Sequence, residues 1–302
     1  MNVIPPLPIG QWVAAFISLL QNNLLPLFNF IRVMLEGFYS GLVAAVTSPG
    51  TLGVLVIAGA LGWLARGWKF GLFSLVGFTL VASMGLWEAA MQTLSQVLIA
   101  TLIAVLLSIP LGILAARSEK VSAVVRPVLD FMQTLPPFVY LVPAVIFFGI
   151  GAAAGTVATI IFAMPPGVRL TELGIRQVDK EMVEAGEAFG APPRQILTRI
   201  QVPLAMPTIM AGVNQIIMLS LSMVVLAGIV GAPGLGQEIY GAVQQILIGS
   251  GFEAGFAVVV IAIFLDRLTG AFSSAQQSSR RSRMLKAAGL RKNGRRQMAK
   301  AA

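Results

Sequence analysis

The 302-residue chain contains no cysteine and no histidine, and only 11% of its residues are charged. These two residue types supply most of the metal ligands, thiol nucleophiles and general bases that act near neutral pH, so their absence makes most enzyme classes improbable. The sequence also lacks a G-x-x-x-x-G-K-[ST] phosphate-binding loop, so any nucleotide must be bound by another chain. We therefore expect no catalytic residue, no metal site and no cofactor in this chain.

Hydrophobic residues, by contrast, make up 57% of the sequence, and the mean hydropathy is +0.85. A soluble fold of this length covers its surface with polar groups, so an average this apolar requires lipid around most of the chain. The sequence predicts an all-α polytopic membrane protein with about seven transmembrane helices, each long enough to cross about 30 Å of hydrocarbon. The seven apolar windows are 48–65, 70–87, 90–115, 127–148, 151–168, 207–230 and 253–270.

A polar stripe marks the segment before the first of these windows. Within 24–46, the polar residues Asn29, Arg32, Glu36 and Ser40 recur at steps of three and four, which places them on one side of a helix. Such a helix is either an eighth span that packs its stripe against other spans or an amphipathic helix in the outer membrane interface. We favour the external interfacial helix.

The net charge of +9 is concentrated at the carboxyl terminus, because 278–302 carries nine basic residues and no acid. Basic residues near span ends stay in the cytoplasm, and this rule predicts an external amino terminus, a cytoplasmic carboxyl terminus and Arg32 as the one external basic residue. The predicted organisation is an external segment at 1–47, a transmembrane domain at 48–270 and a basic tail at 271–302. We expect the tail to bind anionic lipid and not nucleic acid.

A polar loop predicted at 169–206 is too long to be a mere connection between spans. Its segment VDKEMVEAGEAF is predicted to be a helix, with Asp179 near its start and Gly190 as its stop. A second helix is predicted to begin at Pro192–Pro193 and to end before Pro203. Two short helices joined by a glycine turn would make a rigid knob on the cytoplasmic side.

The knob resembles the loop of ABC importer permeases that reads E-A-A, three residues, G, nine residues, I-x-L-P. The spacing is met throughout, although Gly186 replaces the usual alanine and Val202 replaces leucine. In that family the loop docks into a groove on a separate ATPase subunit, so the resemblance implies that ATPase closure pushes the spans as a rigid body. A solvated acidic helix that caps the membrane face is the alternative. The implied coupling residues are Glu184, Ala185, Gly186, Phe189, Gly190, Ile200 and Pro203.

Most of the chain from about residue 90 onward resembles a narrower group, the permeases for glycine betaine and proline. The segments that carry this resemblance are 129–151, 165–178, 209–236 and 252–269. It implies a type I ABC importer permease of the bacterial inner membrane that takes up solutes such as glycine betaine, proline betaine, carnitine or choline. Its implied partners are a second permease copy, two ATPase subunits that bind ATP and Mg, and a separate extracytoplasmic solute-binding protein. The alternatives are the same machine with another cargo such as methionine, and an ion-coupled secondary carrier.

Polar residues and helix breakers in the fourth and sixth spans mark a candidate permeation path. Asp130 and Gln133 lie one turn apart, and polar groups at that depth usually face the bundle interior. Proline frees backbone groups that lipid cannot satisfy, so these prolines form either part of a gate or kinks that serve packing. The candidate pore or gate residues are Asp130, Gln133, Pro136, Pro137, Tyr140, Pro143, Met218, Ser222 and Met223. Beyond the sixth span, 237–248 is predicted to form an external re-entrant helix.

Overall fold

The computed structural model describes residues 8–271, and the basic tail lies outside them. The described residues form twelve α-helices and no strand, which confirms the predicted all-α class. The helices are α1 Ile9–Thr47, α2 Gly50–Arg66, α3 Trp68–Ser83, α4 Trp87–Arg117, α5 Glu119–Thr134, α6 Pro137–Phe148, α7 Ala152–Arg176, α8 Lys180–Ala188, α9 Pro193–Ile196, α10 Val202–Ala227, α11 Leu235–Gln244 and α12 Ile248–Ala271.

Five helices in this part of the chain are long and apolar enough to cross a membrane: α1, α4, α7, the helix that contains α10, and α12. The bent pair of α5 and α6 makes a sixth if it counts as one span. The helices α2 and α3 coincide with two of the predicted windows, but they have only 17 and 16 residues. At 1.5 Å per residue, each is about 25 Å long, somewhat less than the hydrocarbon thickness.

The predicted fourth span at 127–148 is not one straight helix, because the axes of α5 and α6 differ by 100°. Leu135 and the following proline are extended, with ψ angles of 134° and 139°. A residue before proline is pushed out of the helical region, and the Pro136–Pro137 pair applies this restriction twice in succession. The hydroxyl of Tyr140 donates a hydrogen bond to the Met132 carbonyl, which ties the two helices together across the bend.

The bundle is centred on α7, which packs most extensively against α10 and α4. Glycines make these contacts close: a Cβ added to Gly112 of α4 would lie 2.5 Å from the Cβ of Thr171. A Cβ added to Gly167 of α7 would lie 2.4 Å from the Cδ1 of Ile216 on α10. Helices in lipid gain little from hydrophobic burial against one another, so close approach at small residues provides much of their attraction.

A second layer is formed by the α2–α3 hairpin, which packs beside α12 and α4. Its turn is at Gly67, where φ is +85°. A Cβ added to Gly62 would lie 2.6 Å from the Oγ of Ser74, so the two helices touch along their length. The ring of Phe78 meets that of Phe264 edge to face at 5.2 Å and joins α3 to α12.

The end of α10 is held against the start of α11 by direct backbone contact. A Cβ added to Gly228 would lie 2.1 Å from the carbonyl carbon of Gly236, which leaves no room for a side chain. The backbone N–H of Leu235 donates to the Oγ1 of buried Thr93 on α4 at 2.8 Å. The helix predicted at 237–248 corresponds to α11, which spans Leu235–Gln244. Its external position stays a prediction.

We predict that Gly228→Ala lowers the stability of the folded bundle by about 3 kcal/mol or more, because overpacking at backbone atoms has no flexible side chain to relax it. The measurement is the Tm of the purified chain in detergent, taken as the temperature at which its monodisperse peak is lost. Gly241→Ala on α11 is the matched control, since no atom lies within 4 Å of its added Cβ. Equal Tm values for the two variants would contradict the tight crossing.

Candidate functional site

The helix α8 begins after a capping aspartate and ends before a left-handed glycine. The side chain of Asp179 accepts a hydrogen bond from the backbone N–H of Glu181 at 3.1 Å, so it caps the first turn. Gly190 has a φ of +74°, and the N–H of Ala191 donates to the Gly186 carbonyl at 3.1 Å. This is a Schellman-type end, in which a left-handed glycine lets the chain turn back on the helix. The predicted start and stop of the first knob helix are confirmed.

Gly186 faces the interior of the knob. A Cβ added to it would lie 2.7 Å from the Cδ1 of Ile200 and 3.5 Å from the Cγ1 of Ile196. Ile196 is buried and Ile200 is half-buried. Gly186 and Ile200 therefore hold α8 against the segment that follows it, and they do not form an outer docking surface.

The outer surface of the knob consists of the remaining α8 residues, none of which is buried. Glu184 and Ala185 are exposed, and the Phe189 residue that follows α8 is 92% exposed. A large apolar ring that projects from an otherwise polar segment is a typical anchor for a partner protein.

The second knob helix does not end before Pro203, contrary to the sequence prediction. It continues through a π-helical turn at Leu197–Gln201 into α10, and Pro193–Val230 is one continuous helical segment. The N–H of Val202 donates to the carbonyl of Leu197, five residues back. This wider turn relieves the clash that a proline ring makes with the preceding turn of an ordinary α-helix. The knob is thus joined to α10 without a break.

The first eight residues of the predicted loop also belong to a helix, because α7 extends to Arg176. Buried Glu172 on α7 lies at the centre of a polar cluster with α5. Its Oε1 accepts hydrogen bonds from Ser122 at 2.8 Å and Arg126 at 2.9 Å, and it lies 3.0 Å from the Arg176 guanidinium. Arg176 also pairs with Glu119 at the start of α5. The Glu172–Arg176 spacing of four is a signal for this cluster that the sequence already contained.

The sequence predicted that Asp130 and Gln133 face the bundle interior, but they do not. Both are exposed on α5, and the Asp130 side chain keeps 65% of its surface open. The Asp130 carboxylate pairs with the Arg169 guanidinium of α7. These residues lie near the cytoplasmic water in the predicted orientation, where a charge needs no protein interior. The contact favours a scaffolding role over a gate.

The other pore candidates fall into separate environments. Tyr140 and Met223 share a core cluster, and Met223 has no exposed surface. Met218, at 58% exposure, and exposed Ser222 lie one turn apart on an open face of α10. Of these two pairs, Met218 and Ser222 are the one that offers a surface to a solute in this conformation, and the pore roles stay predictions. Of the candidate prolines, Pro136 is exposed, whereas Pro137 and Pro143 are half-buried.

Comparison with known proteins decides the family. Residues 108–277, more than half of the chain, match the family described as binding-protein-dependent transport system inner membrane component. The chain belongs to this family. It is a multi-pass inner membrane protein and a transport subunit of an ABC system.

Curated relatives match this permease over most of its length. It is 45% identical over 269 residues to the glycine betaine transport system permease protein OpuAB of Bacillus subtilis strain 168, covering 89% of this chain and 95% of the relative. The glycine betaine/carnitine transport permease protein GbuB of Listeria monocytogenes is 46% identical over 92% of this chain and all of the relative. The glycine betaine/proline betaine permease ProW of Escherichia coli K12 is 42% identical, covering 92% of this chain and 80% of the relative.

The fold of the permease is similar to that of a solved transporter subunit over part of the chain. An inward-facing structure of the MetNI methionine ABC transporter aligns with a TM-score of 0.56, covering 63% of this chain and 95% of that chain at 21% identity. The predicted type I ABC permease fold is therefore confirmed, although this degree of identity says nothing about cargo.

We predict that Glu172→Gln lowers the Tm of the permease in detergent, because it removes the one buried carboxylate that two arginines and a serine share. Charge-assisted hydrogen bonds contribute about 1.5–3 kcal/mol each. Glu119→Gln is the control, since the Glu119 side chain is 82% exposed and an exposed pair contributes about 1 kcal/mol or less. A drop in Tm of equal size for both variants would mean that Glu172 does not organise the cluster.

Proposed function

We propose that this permease imports glycine betaine and related compatible solutes such as proline betaine, carnitine and choline. The observation that carries the proposal is that relatives named for glycine betaine are 42–46% identical over about nine tenths of the chain. Methionine, the alternative cargo, has no such support, because the methionine transporter resembles this chain in fold at 21% identity and shows nothing of the cargo. An ion-coupled carrier has no support from the family to which the chain belongs.

The permease works as a homodimer with two ATPase subunits and a separate extracytoplasmic solute-binding protein. The sequence has no phosphate-binding loop, so ATP and Mg belong to the ATPase subunits. Each chain carries one knob, and a pair of ATPases requires two. The family description itself names dependence on a binding protein.

The knob passes ATPase movement to the spans. Phe189 inserts into an apolar groove of the ATPase, and Glu184 pairs with a cation at its rim. Gly186 and Ile200 hold the knob together behind this surface. The continuous helix from α9 into α10 carries the displacement into the bundle, where α10 packs on α7. The exposed stripe at Met218 on α10 lines the path between two copies, and its weakly polar surface suits a zwitterion in transit.

We infer that the amino terminus lies outside and that α1 lies across the external face of the bundle. Helix α1 is long and apolar enough to cross, and it also packs on α4, α7 and α2, but three of its side chains contact one short segment of the chain. Gln21, Phe28 and Arg32 all meet the segment 146–149, which lies at one end of α6. Gln21 donates to a backbone carbonyl there at 3.2 Å, Phe28 stacks on a phenylalanine at 4.4 Å, and Arg32 lies beside a glycine. These positions extend over about 16 Å of helix, so an α1 parallel to the spans would meet partners at different depths.

We expect proteoliposomes that hold the permease with its ATPase and binding protein to take up radiolabelled glycine betaine when ATP is supplied. Phe189→Ala should reduce this uptake about tenfold or more, because the exposed ring contributes to docking and not to the fold. Thr198→Ala, an exposed substitution outside the docking surface, is the control.

Each alternative gives a distinct result. If the wild-type permease takes up another solute and not glycine betaine, the transporter assembly stands and the proposed cargo is wrong. Normal uptake by the Phe189 variant would reject the docking surface.

The absence of cysteine makes the orientation directly testable. Single cysteines replace Gln11, Ser48 or Thr198, all exposed, and intact cells are treated with a membrane-impermeant maleimide. The external α1 predicts labelling at 11 and 48 before permeabilisation and at 198 only afterwards. A helix α1 that crosses the membrane would instead protect position 11 until the cells are opened.

A further inference from the structure

An apolar groove lies between α3 and α12. It shares Ile263 of α12 with a smaller pocket that Met218 of α10 lines. Its volume is about 400 Å³, and nine of its ten lining residues are apolar. The tenth is Lys69, at the end of the groove where α3 begins.

The floor of the groove is closed and its walls are open to the outside. A Cβ added to Gly77 of α3 would lie 2.9 Å from the Cγ1 of Val260 on α12, so the two helices touch beneath it. Val76 and Val259 on the walls are each about half exposed, at 47% and 51%. In a membrane protein, an open apolar wall of this kind faces acyl chains.

The length of the groove matches one leaflet of a bilayer. From Lys69 to Leu80, the last α3 residue of its lining, the chain advances eleven residues, or about 16 Å along the helix. Half of the hydrocarbon core is about 15 Å thick. The groove thus accommodates one acyl chain whose headgroup lies level with Lys69.

The charges at this end of the groove favour an anionic headgroup. Lys69 lines the groove, whereas Arg66 lies outside the lining, with its guanidinium beside Gly270 of α12. Both are exposed, and neither forms an ion pair within residues 8–271. The Nζ of Lys69 lies 5.9 Å from the centre of the exposed Trp68 ring. Tryptophan and lysine together are typical of the interface where headgroups lie.

We propose that the α3–α12 groove binds one anionic phospholipid, with an acyl chain along its apolar walls and its phosphate against Lys69 and Arg66. A second copy of the permease fits this surface poorly. A two-fold contact centred here would bring the same two cations of each copy together, which like-charge repulsion disfavours. The lipid site is independent of which solute the permease carries.

The test uses the full-length permease in bilayer nanodiscs that contain phosphatidylglycerol with a photoreactive acyl chain, and crosslinked peptides are then mapped. Labels are expected in 72–80 and 256–263. The double variant Arg66→Gln and Lys69→Gln should reduce labelling of these peptides about thirtyfold, because each basic residue near an anionic headgroup contributes about 1 kcal/mol and about 1.4 kcal/mol is a factor of ten. Lys120→Gln on α5, also an exposed lysine, is the control and should leave it unchanged. Val76→Trp, which fills the groove, should also reduce labelling of these peptides.

Three results would overturn the proposal. Equal labelling by a photoreactive phosphatidylcholine would reject the anionic headgroup. If the Val76→Trp variant is labelled as strongly as the wild type, the groove is not the binding surface. A disulfide between two copies that each carry Val76→Cys, together with no lipid label in these peptides, would assign the groove to a contact between permeases.

Discussion

Hydrocarbon offers no hydrogen-bond partner to a backbone N–H or C=O, and this constraint determines where the chain can bend and how the bends are held. At the break between α5 and α6, the Tyr140 hydroxyl reaches back to the Met132 carbonyl. Where α10 gives way to α11, Thr93 of another helix accepts the N–H of Leu235. At these two breaks a side chain satisfies a backbone group that the helix leaves without a partner.

The same constraint separates two kinds of contact between helices. Within the bundle, α7 meets α4 and α10 through glycines and small side chains, because backbone proximity provides the attraction that hydrophobic burial cannot. At the ends of α5 and α7 the contact is ionic, with Glu172 shared by Arg126 and Arg176. Both arginines keep part of their surface exposed, Arg126 58% and Arg176 27%. Helix α5 is therefore attached to the bundle by bonds of a different chemistry from those that hold α4, α7 and α10 together.

Features that depend on a few neighbouring residues could be predicted from the sequence. Asp179 and Gly190 mark the ends of the first knob helix because capping is local in the chain. The sequence left a kink at the Pro136–Pro137 pair as one of two alternatives and could not decide between them, since proline also occurs inside continuous helices such as α7. Nor could the sequence distinguish exposed Met218 from buried Met223. A helix that is apolar on every side has no polar face from which its orientation can be inferred.

Gly186 is where the chain departs from the usual motif, and the structure gives this departure a physical meaning. Glycine inside a helix costs about 1 kcal/mol relative to alanine. Here it lets the side chain of Ile200 come within 2.7 Å of the place where a Cβ would lie. The atom in question is the flexible end of an isoleucine, so an alanine would require a small shift and not a new backbone. The motif position thus calls for a small side chain because this lets α8 pack against the helix that leads into α10. In the proposed coupling, a knob that separated from α10 would absorb the ATPase movement instead of passing it on.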